Sequence, residues 1–209
     1  LFDKEIYKYS LLKNSKLLNF FISKLIIKNK YLLNYVDKFI THTEFTKKKF
    51  INYGIPKDKI IIKPNFVKKS KNRILSIKNK SNAIYASRIS KEKGITTLLK
   101  TWHHLNLKID IFGEGPLLKD LNIENKNINF RGNLPKDKIG KLINNSKFLI
   151  YPSECFETFG MTIVEAFNEG TLVLASNIGS IKSIIKNFYN GILFESGNSH
   201  DLLKKIKWI

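Results

Sequence analysis

The sequence predicts an α/β protein whose main domain is a doubly wound parallel sheet, preceded by part of a second α/β domain. From residue 81 onward, short apolar runs of strand length alternate with amphipathic stretches of helical length, which is typical of parallel strands joined by crossover helices. A stretch dominated by Lys, Ser and Asn at 68–80 separates this region from an earlier strand–helix–strand pattern. We therefore predict a partial domain over 1–67, a linker over 68–80 and a second domain over 81–209.

The first segment opens with residues 1–36, where aromatic and aliphatic residues mix with lysines at helical spacing and indicate one or two amphipathic helices. The elements predicted next are a strand over 37–41, a helix from about Glu44 to Gly54 and a buried strand of three isoleucines over 60–62. The helix is expected to bury Phe45, Phe50 and Ile51.

The second domain is predicted to contain six strands. They are expected over 83–86, 108–112, 127–130, 148–151, 172–175 and 191–194. The helices between and after them are expected over 95–105, in a short turn after 116, from 136, over 161–169, over 180–187 and in a last helix cut short by the chain end. Ligands of such sheets lie beyond the carboxyl ends of the strands, so the loops after these strands are the candidates for a site.

The loop after the first of these strands carries two cations. Arg88 follows the strand, and Lys93 stands just before a helix begins. A guanidinium, an ammonium and the amides of a helix N-terminus together make a receptor for a diphosphate. A solvated loop in a Lys-rich protein is the alternative interpretation.

The loop after the fourth strand carries two carboxylates. Glu157 lies just outside a helix start, and Glu165 lies eight residues later among apolar neighbours. A carboxylate there needs a hydrogen-bonding partner, and a sugar or ribose diol is a natural one. Gly160 lets the backbone approach a ligand, and the amides near Met161 and Thr162 face a phosphate in this interpretation. An ordinary acid at a helix start and an exposed helix stripe remain the alternatives.

The other loops carry weaker signals. Gly113 and Gly115 belong to a tight turn near the ligand and not to a dinucleotide fingerprint, since the third glycine is missing. The loop 131–135 lies where a nucleotide base is expected. No metal-binding motif occurs, so no metal site is predicted. The single cysteine, Cys155, has no histidine near it in sequence and is interpreted as a passive thiol.

Charge is unevenly distributed along the chain. The formal net charge is +20, and residues 1–80 carry 20 Lys and Arg against 5 Asp and Glu. An anionic partner such as a phospholipid surface or a nucleic acid, or biased codon usage, accounts for this equally well. Nucleic acid is disfavoured because the aromatic residues have the spacing of a core. No long uncharged apolar run is present, and both chain ends are interpreted as cut.

The motifs follow one another in the order of a known family. The first three lie in the first segment and its end: Ile40–Phe45, 54–60 and 63–67. The second domain then contains three spaced motifs, which are R-x4-K-G (Arg88 with Lys93-Gly94), G-x-G-P (Gly113–Pro116) and E-x7-E (Glu157 with Glu165). On these residues the chain resembles the retaining glycosyltransferases of family 4, which have the GT-B fold of two facing Rossmann-like domains. The resemblance makes 1–67 a remnant of the N-terminal, acceptor-side domain and 81–209 the donor-binding domain.

The resemblance implies a role for each candidate residue. Arg88 and Lys93 bind the diphosphate of the donor, and Glu165 holds the ribose hydroxyls. Glu157 is the catalytic residue, which contacts the transferred sugar near its reacting face. The backbone of Phe159, Gly160, Met161 and Thr162 donates hydrogen bonds to sugar or phosphate, and Gly113 and Gly115 form the turn beside the donor.

The implied activity is transfer of a hexose from a UDP- or GDP-sugar to a glycan or lipid-linked acceptor, with retention of anomeric configuration and without a cofactor or metal. A cytoplasmic location is expected, with peripheral membrane contact through basic residues 1–80 and no nucleic-acid partner. Two departures are visible: Asn65-Phe66 stands where the family has Asn-Gly, and Ser180 where a second glycine is common. A nucleotide-sugar-binding fragment without activity is the alternative, since most of the N-terminal domain is absent.

Overall fold

The chain forms two compact units, Leu1–Lys63 and Pro64–Ile209. The computed structural model describes residues 35–121, 125–133 and 136–209. The amphipathic helices predicted over 1–36 lie, up to residue 34, outside the described residues. None of the helices described combines the length and the apolar character needed to cross a bilayer.

The described part of the first unit is a small parallel β-α-β element. It consists of β1 (Phe39–Thr41), α1 (Glu44–Asn52) and β2 (Ile60–Ile62). The side chain of Thr43 accepts a hydrogen bond from the amide of Thr46 and so caps α1. Phe45, Phe50 and Ile51 are only half-buried, so the predicted burial is partly wrong. In β2 the first isoleucine is buried, the second exposed and the third half-buried, so the predicted burial of all three is partly wrong; successive strand residues face opposite sides of the sheet, which exposes Ile61.

The second unit contains six strands and five α-helices among its described residues. The strands are β3 (Ala83–Ala86), β4 (Ile109–Phe112), β5 (Ile128–Gly132), β6 (Phe148–Tyr151), β7 (Leu172–Ser176) and β8 (Ile192–Phe194). The helices are α2 (Ile95–Trp102), α3 (Lys136–Asn145), α4 (Met161–Asn168), α5 (Ile181–Ile184) and α6 (Ser199–Trp208). The predicted doubly wound α/β fold is confirmed.

The strand order of the parallel sheet is β5-β4-β3-β6-β7-β8. The chain first adds strands on one side of β3, then returns with β6 on its other side and proceeds outward again. The order therefore reverses between β3 and β6. Crevices at such reversal points, at the carboxyl ends of the strands, are where open α/β sheets bind ligands.

Each face of the sheet carries its own hydrophobic core. Ala83 and Tyr85 point to one face, where Leu98 of α2 and Leu202 of α6 cover them. The next residues along β3 point to the other face, where α3, α4 and α5 pack. Because side chains of successive strand residues point to opposite faces, one layer of helices packs on each side of the sheet. The loops at the carboxyl ends of the strands connect the sheet to these packed helices.

Two helices are shorter than predicted. The helix expected over 95–105 ends at Trp102, whose indole Nε1 donates a 2.8 Å hydrogen bond to the carbonyl of Leu107 and turns the chain towards β4. The helix expected over 180–187 is the single turn α5. It stops at Ile184, whose carbonyl accepts a hydrogen bond from the side-chain amide of Asn190.

Residues 68–80, predicted as a linker, run along the second unit. The side-chain amide of Asn72 donates to Glu169 Oε2 at 2.9 Å. The ammonium of Lys80 is buried and donates to the carbonyl of Gly170 and the hydroxyl of Thr171 at 2.9 and 2.8 Å. Polar side chains thus attach the segment to the sheet domain, although its composition is that of a flexible connection.

Candidate functional site

A cavity of about 510 Å³ opens at the carboxyl ends of β3 and β4. Five residues predicted from the sequence lie in its wall: Arg88, Gly113, Met161, Thr162 and Glu165. They come from two different loops and a helix, spread over nearly eighty positions. The cavity lies beside the reversal of strand order, where the fold favours a ligand.

The loop that carries Arg88 is held by backbone contacts. The phenol of Tyr85 donates a 2.8 Å hydrogen bond to the carbonyl of Arg88. A Cβ on Gly113 would lie 2.0 Å from the carbonyl oxygen of Ser87, and one on Gly115 would lie 2.1 Å from that of Ile89. Both glycines therefore let two loops touch backbone to backbone. Gly113 also lines the cavity, whereas Gly115 lies against the Arg88 loop outside it.

Helix α4 brings a carboxylate and a helix N-terminus to the opposite wall. Gly160 precedes the helix with φ +93°, a left-handed conformation that suits glycine. The amides of the first turn, at Met161 and Thr162, have no acceptor within the helix. Glu165 follows one turn later and is half-buried, because Ile163 and the alanine after Glu165 take the core-facing positions.

Lys93 and Glu157 form an ion pair next to this cavity. The ammonium of Lys93 lies 2.6 Å from Glu157 Oε1, and both side chains are largely buried. The hydroxyl of Ser153 donates to the same carboxylate oxygen at 2.7 Å, and the thiol of Cys155 lies 3.9 Å from it. The two predicted residues thus contact each other, and neither belongs to the cavity wall.

The loops after β3 and β6 are fixed to each other. The amide of Glu154 donates a 2.9 Å hydrogen bond to the carbonyl of Glu92. Gly94 has φ +71°, and a Cβ there would lie 1.8 Å from the carbonyl oxygen of Pro152. The hydroxyl of Ser90, together with backbone hydrogen bonding, lowers the pKa of the Glu92 carboxyl. Lys93 is therefore presented from a rigid turn.

Some site residues differ from the sequence prediction. The side chain of Phe159 is buried, so only its backbone is available to a ligand. Glu114, Asn133 and Ile139 also line the cavity. Asn133 belongs to the loop that the sequence predicted to lie near a nucleotide base, whereas Glu114 and Ile139 were not predicted as site residues. Ser153 contacts the ion pair, and nothing in the sequence distinguishes it from other loop serines.

Two buried phenols lie under the site, those of Tyr85 and Tyr151. Burial raises the pKa of Tyr85 well above its usual range. Burial and the neighbouring Glu157 carboxylate also raise the pKa of the Tyr151 phenol well above its usual range. Above about pH 10 the unfolded chain releases these protons and the folded chain keeps them, so we expect the free energy of unfolding to fall with rising pH.

Above pH 10, the substitutions Tyr85→Phe and Tyr151→Phe should each reduce the loss of unfolding free energy by about 1.4 kcal/mol per pH unit. Urea unfolding between about pH 8.5 and 11.5 measures the slope, which is separate from any constant loss caused by the missing hydrogen bond. Tyr53→Phe, at a 40% exposed position, is the control. Equal slopes in all three variants would contradict the prediction.

Comparison with known proteins places this arrangement in a family. The profile of the glycosyl transferases group 1 family matches residues 66–209. The chain is 27% identical to the uncharacterized glycosyltransferase MJ1178 of Methanocaldococcus jannaschii, over 88% of this chain and 59% of the relative. The chain thus spans little more than half the length of this curated relative.

Solved structures share the fold. Alr3699/HepE of Anabaena, determined with UDP, superposes with a TM-score of 0.73 at 19% identity, covering 94% of this chain and 58% of that one. A glycosyltransferase from Rickettsia africae gives a TM-score of 0.69 at 22% identity, covering 86% and 56%. The fold is therefore that of a Rossmann-like part of a GT-B glycosyltransferase. From residue 66 to residue 209, the chain belongs to the glycosyl transferases group 1 family.

Proposed function

We propose that this chain is the donor-binding part of a glycosyltransferase that transfers a hexose from a nucleotide-diphosphate sugar to a glycan or lipid-linked acceptor, with retention of anomeric configuration. The observation that carries the proposal is the cavity at the reversal of strand order, where Arg88, Glu165 and the N-terminus of α4 meet. Membership of the family supports a sugar donor. Alr3699/HepE, solved with UDP and with UDP-glucose, supports a uridine nucleotide.

In this proposal the diphosphate lies between the Arg88 loop and α4. The exposed guanidinium of Arg88 reaches phosphate oxygens in bidentate fashion. The first-turn amides at Met161 and Thr162 add donors and the positive end of the helix dipole. Lys93 supplies the second cation from the adjacent turn, where Glu157 now pairs with it. Charge stabilisation of the leaving diphosphate by these groups is the main catalytic contribution.

Glu165 is the proposed ribose ligand, and Glu157 is the proposed catalytic residue. Glu165 presents a carboxylate in the cavity wall, four residues into the helix whose N-terminus faces the phosphates. A carboxylate accepts two hydrogen bonds from a vicinal diol. In this proposal the sugar extends from the diphosphate towards Glu157, whose carboxylate contacts Lys93 and Ser153.

The reaction that accounts for retention takes place on one face of the sugar. The bond between the anomeric carbon and the diphosphate oxygen breaks, and the acceptor hydroxyl oxygen bonds to that carbon from the same side. Its proton passes to an oxygen of the departing diphosphate. The protein positions donor and acceptor and stabilises the negative charge, and we assign no metal or other cofactor to the step.

A second candidate is a nucleotide-sugar-binding fragment without activity of its own. The chain spans 59% of MJ1178 and 58% of Alr3699/HepE, and an assay of sugar release from the donor distinguishes the two candidates. Membrane contact through residues 1–80 and a cytoplasmic location stay predictions, and we propose no nucleic-acid partner.

Calorimetric titration of the chain with UDP and with GDP tests the donor site. We expect saturable binding of one nucleotide, weakened about 10- to 100-fold by Arg88→Ala and by Glu165→Ala, because each variant removes hydrogen bonds to a charged group. Arg73→Ala, at another exposed arginine that does not line the cavity, is the matched control and should bind as the unaltered chain does.

Circular dichroism and thermal unfolding of each variant establish that the chain is folded in every titration. Binding that Arg88→Ala and Arg73→Ala weaken equally would show that only overall charge attracts the nucleotide, and the proposed site would be wrong. If the unaltered chain releases sugar from a UDP- or GDP-hexose, it is an active enzyme and not an inactive nucleotide-sugar-binding fragment.

A further inference from the structure

An asparagine at the end of α4 binds the backbone of the segment that leads into the sheet domain. The side-chain amide of Asn168 donates to the carbonyl of Lys68 at 3.0 Å, and its side-chain oxygen accepts from the amide of Ser70 at 3.2 Å. One residue of a parallel strand makes the same pair of bonds with its neighbour, to a carbonyl and to the amide two residues later. The contact therefore does not depend on the side chains of Lys68 and Ser70.

A second asparagine, in the last turn of α3, repeats this contact further along the same segment. The side-chain amide of Asn144 donates to the carbonyl of Arg73 at 2.9 Å, and its oxygen accepts from the amide of Leu75 at 3.3 Å. Asn144 is only 3% exposed. Because a buried amide that loses its partners is costly, these bonds oppose release of the segment. We call residues 68–75 the strap.

Between these two contacts, the strap, α3 and α4 meet at one carboxylate. The side-chain amide of Asn72 donates to Oε2 of Glu169, which follows α4 and is 5% exposed. A Cβ on Gly140, inside α3, would lie 2.9 Å from Oε1 of the same carboxylate. Glycine in a helix interior is normally destabilising. Here it lets the end of one helix approach the backbone of the other.

Both helices that hold the strap also line the donor cavity. Ile139 precedes Gly140 in α3, and Glu165 lies one turn before Asn168 in α4; both are in the cavity wall. A helix is a rigid rod over two or three turns, since its backbone bonds join each turn to the next. A displacement at the strap end of either helix therefore moves the residue in the cavity.

Apolar packing alone leaves the position of α4 incompletely determined. The helix buries Ile163 and Ala166 in the core on this face of the sheet. Such burial is non-directional, so it holds the helix against the sheet without opposing a slide along its axis. The residue before the helix, Gly160, has no side chain with which to cap it. Directional hydrogen bonds at the other end, through Asn168, supply the missing constraint.

We propose that Asn144 and Asn168 are positioning residues of the donor cavity. By binding the strap they fix the separation of α3 and α4, and with it the distance between Ile139 and Glu165 in the cavity wall. The inference rests on the proposed function, because a nucleotide-sugar donor is the ligand whose affinity depends on that distance. Coupling between two sites is reciprocal, so a bound nucleotide should in turn stabilise the docked strap.

Calorimetric titration with UDP and with GDP measures the first half of this coupling. Asn168→Ala and Asn144→Ala should each weaken binding of the preferred nucleotide about five- to tenfold, although neither residue lines the cavity. Asn190→Ala is the matched control and should bind as the unaltered chain does. Asn190 also makes two backbone hydrogen bonds, with the amide of Lys186 at 2.7 Å and the carbonyl of Ile184 at 3.1 Å, but it lies outside α3, α4 and the strap.

Hydrogen exchange followed by mass spectrometry measures the second half. Saturating nucleotide should slow exchange of the strap amides in the unaltered chain, by a factor comparable with the loss of affinity in the variants. Without nucleotide, Asn168→Ala should speed exchange within α3 and α4 as well as in the strap, whereas Asn190→Ala should leave all three unchanged. Asn168 is half-buried, so its variant tests the proposal even if Asn144→Ala does not fold.

Two results would overturn the proposal. Unchanged nucleotide affinity in Asn168→Ala would make the strap a simple tether, and so would strap exchange that ignores a bound nucleotide. Failure of the proposed function has a different signature, in which the unaltered chain binds neither UDP nor GDP. The exchange rates of α3 and α4 then decide alone: faster exchange in Asn168→Ala than in Asn190→Ala supports the positioning role, and equal rates contradict it.

Discussion

Gly94→Ala is expected to lower the free energy of unfolding by about 3 kcal/mol or more. Two costs add at this position. The residue has φ +71°, which an alanine adopts at a cost of about 1 kcal/mol. The added Cβ would also lie 1.8 Å from the carbonyl oxygen of Pro152, so the loops after β3 and β6 would have to separate. Urea unfolding, with the midpoint and slope fitted separately, measures the change.

Gly132→Ala separates the two costs. Gly132 has a closely similar φ of +69°, but a Cβ there meets nothing within 4 Å in the part of the chain the structure describes. We expect a loss of about 1 kcal/mol for this control. Equal losses in the two variants would contradict the close approach of Gly94 to Pro152 and would leave only backbone strain. Because Lys93 precedes Gly94, the Gly94 variant should also weaken nucleotide binding.

Lys93→Ala is expected to weaken nucleotide binding about 100-fold or more, the largest effect of any single substitution at the proposed donor site. The variant removes a cation from the phosphates. It also leaves the largely buried Glu157 carboxylate, now 2.6 Å from the Lys93 ammonium, without its charged partner beside an anionic ligand. Both consequences oppose binding, and calorimetric titration with the preferred nucleotide measures their sum.

A double-mutant cycle separates the lost phosphate contact of Lys93 from the effect of the uncompensated Glu157 charge. Glu157→Gln alone should change UDP affinity less than tenfold, and adding it to Lys93→Ala should restore about tenfold of the loss by removing the uncompensated charge. Lys91→Ala, at an exposed lysine of the same turn, is the matched control. If Lys93→Ala binds as Lys91→Ala does, Lys93 is a structural partner of Glu157 and not a phosphate ligand.

The fold class and most of the strands could be predicted from the amino-acid sequence alone. The strands β3, β6 and β8 are uninterrupted apolar runs, as a strand covered on both faces produces wherever it lies in the sheet. The edge-side strands β4 and β5 also contain the polar residues Asp110, Asn129 and Arg131. The predicted ends of the helices were less accurate than the predicted strands. The indole hydrogen bond of Trp102 and the amide hydrogen bond of Asn190 depend on partners five or more positions away. Such contacts leave no periodic signal.

The sequence also indicated Arg88, Glu157 and Glu165 as charged residues in the loops and helix that follow two of the strands, since parallel strands bring their carboxyl ends to one edge. How these residues group in space follows from the folded structure. It places Arg88 and Glu165 in one cavity wall, pairs Glu157 with Lys93 outside that wall, and adds Ser153 and Asn133. It also shows that Gly94 and Gly115 are needed for contact between loops. Spacing along a chain predicts which edge of a sheet a residue reaches, whereas the approach of one loop to another depends on packing between distant segments.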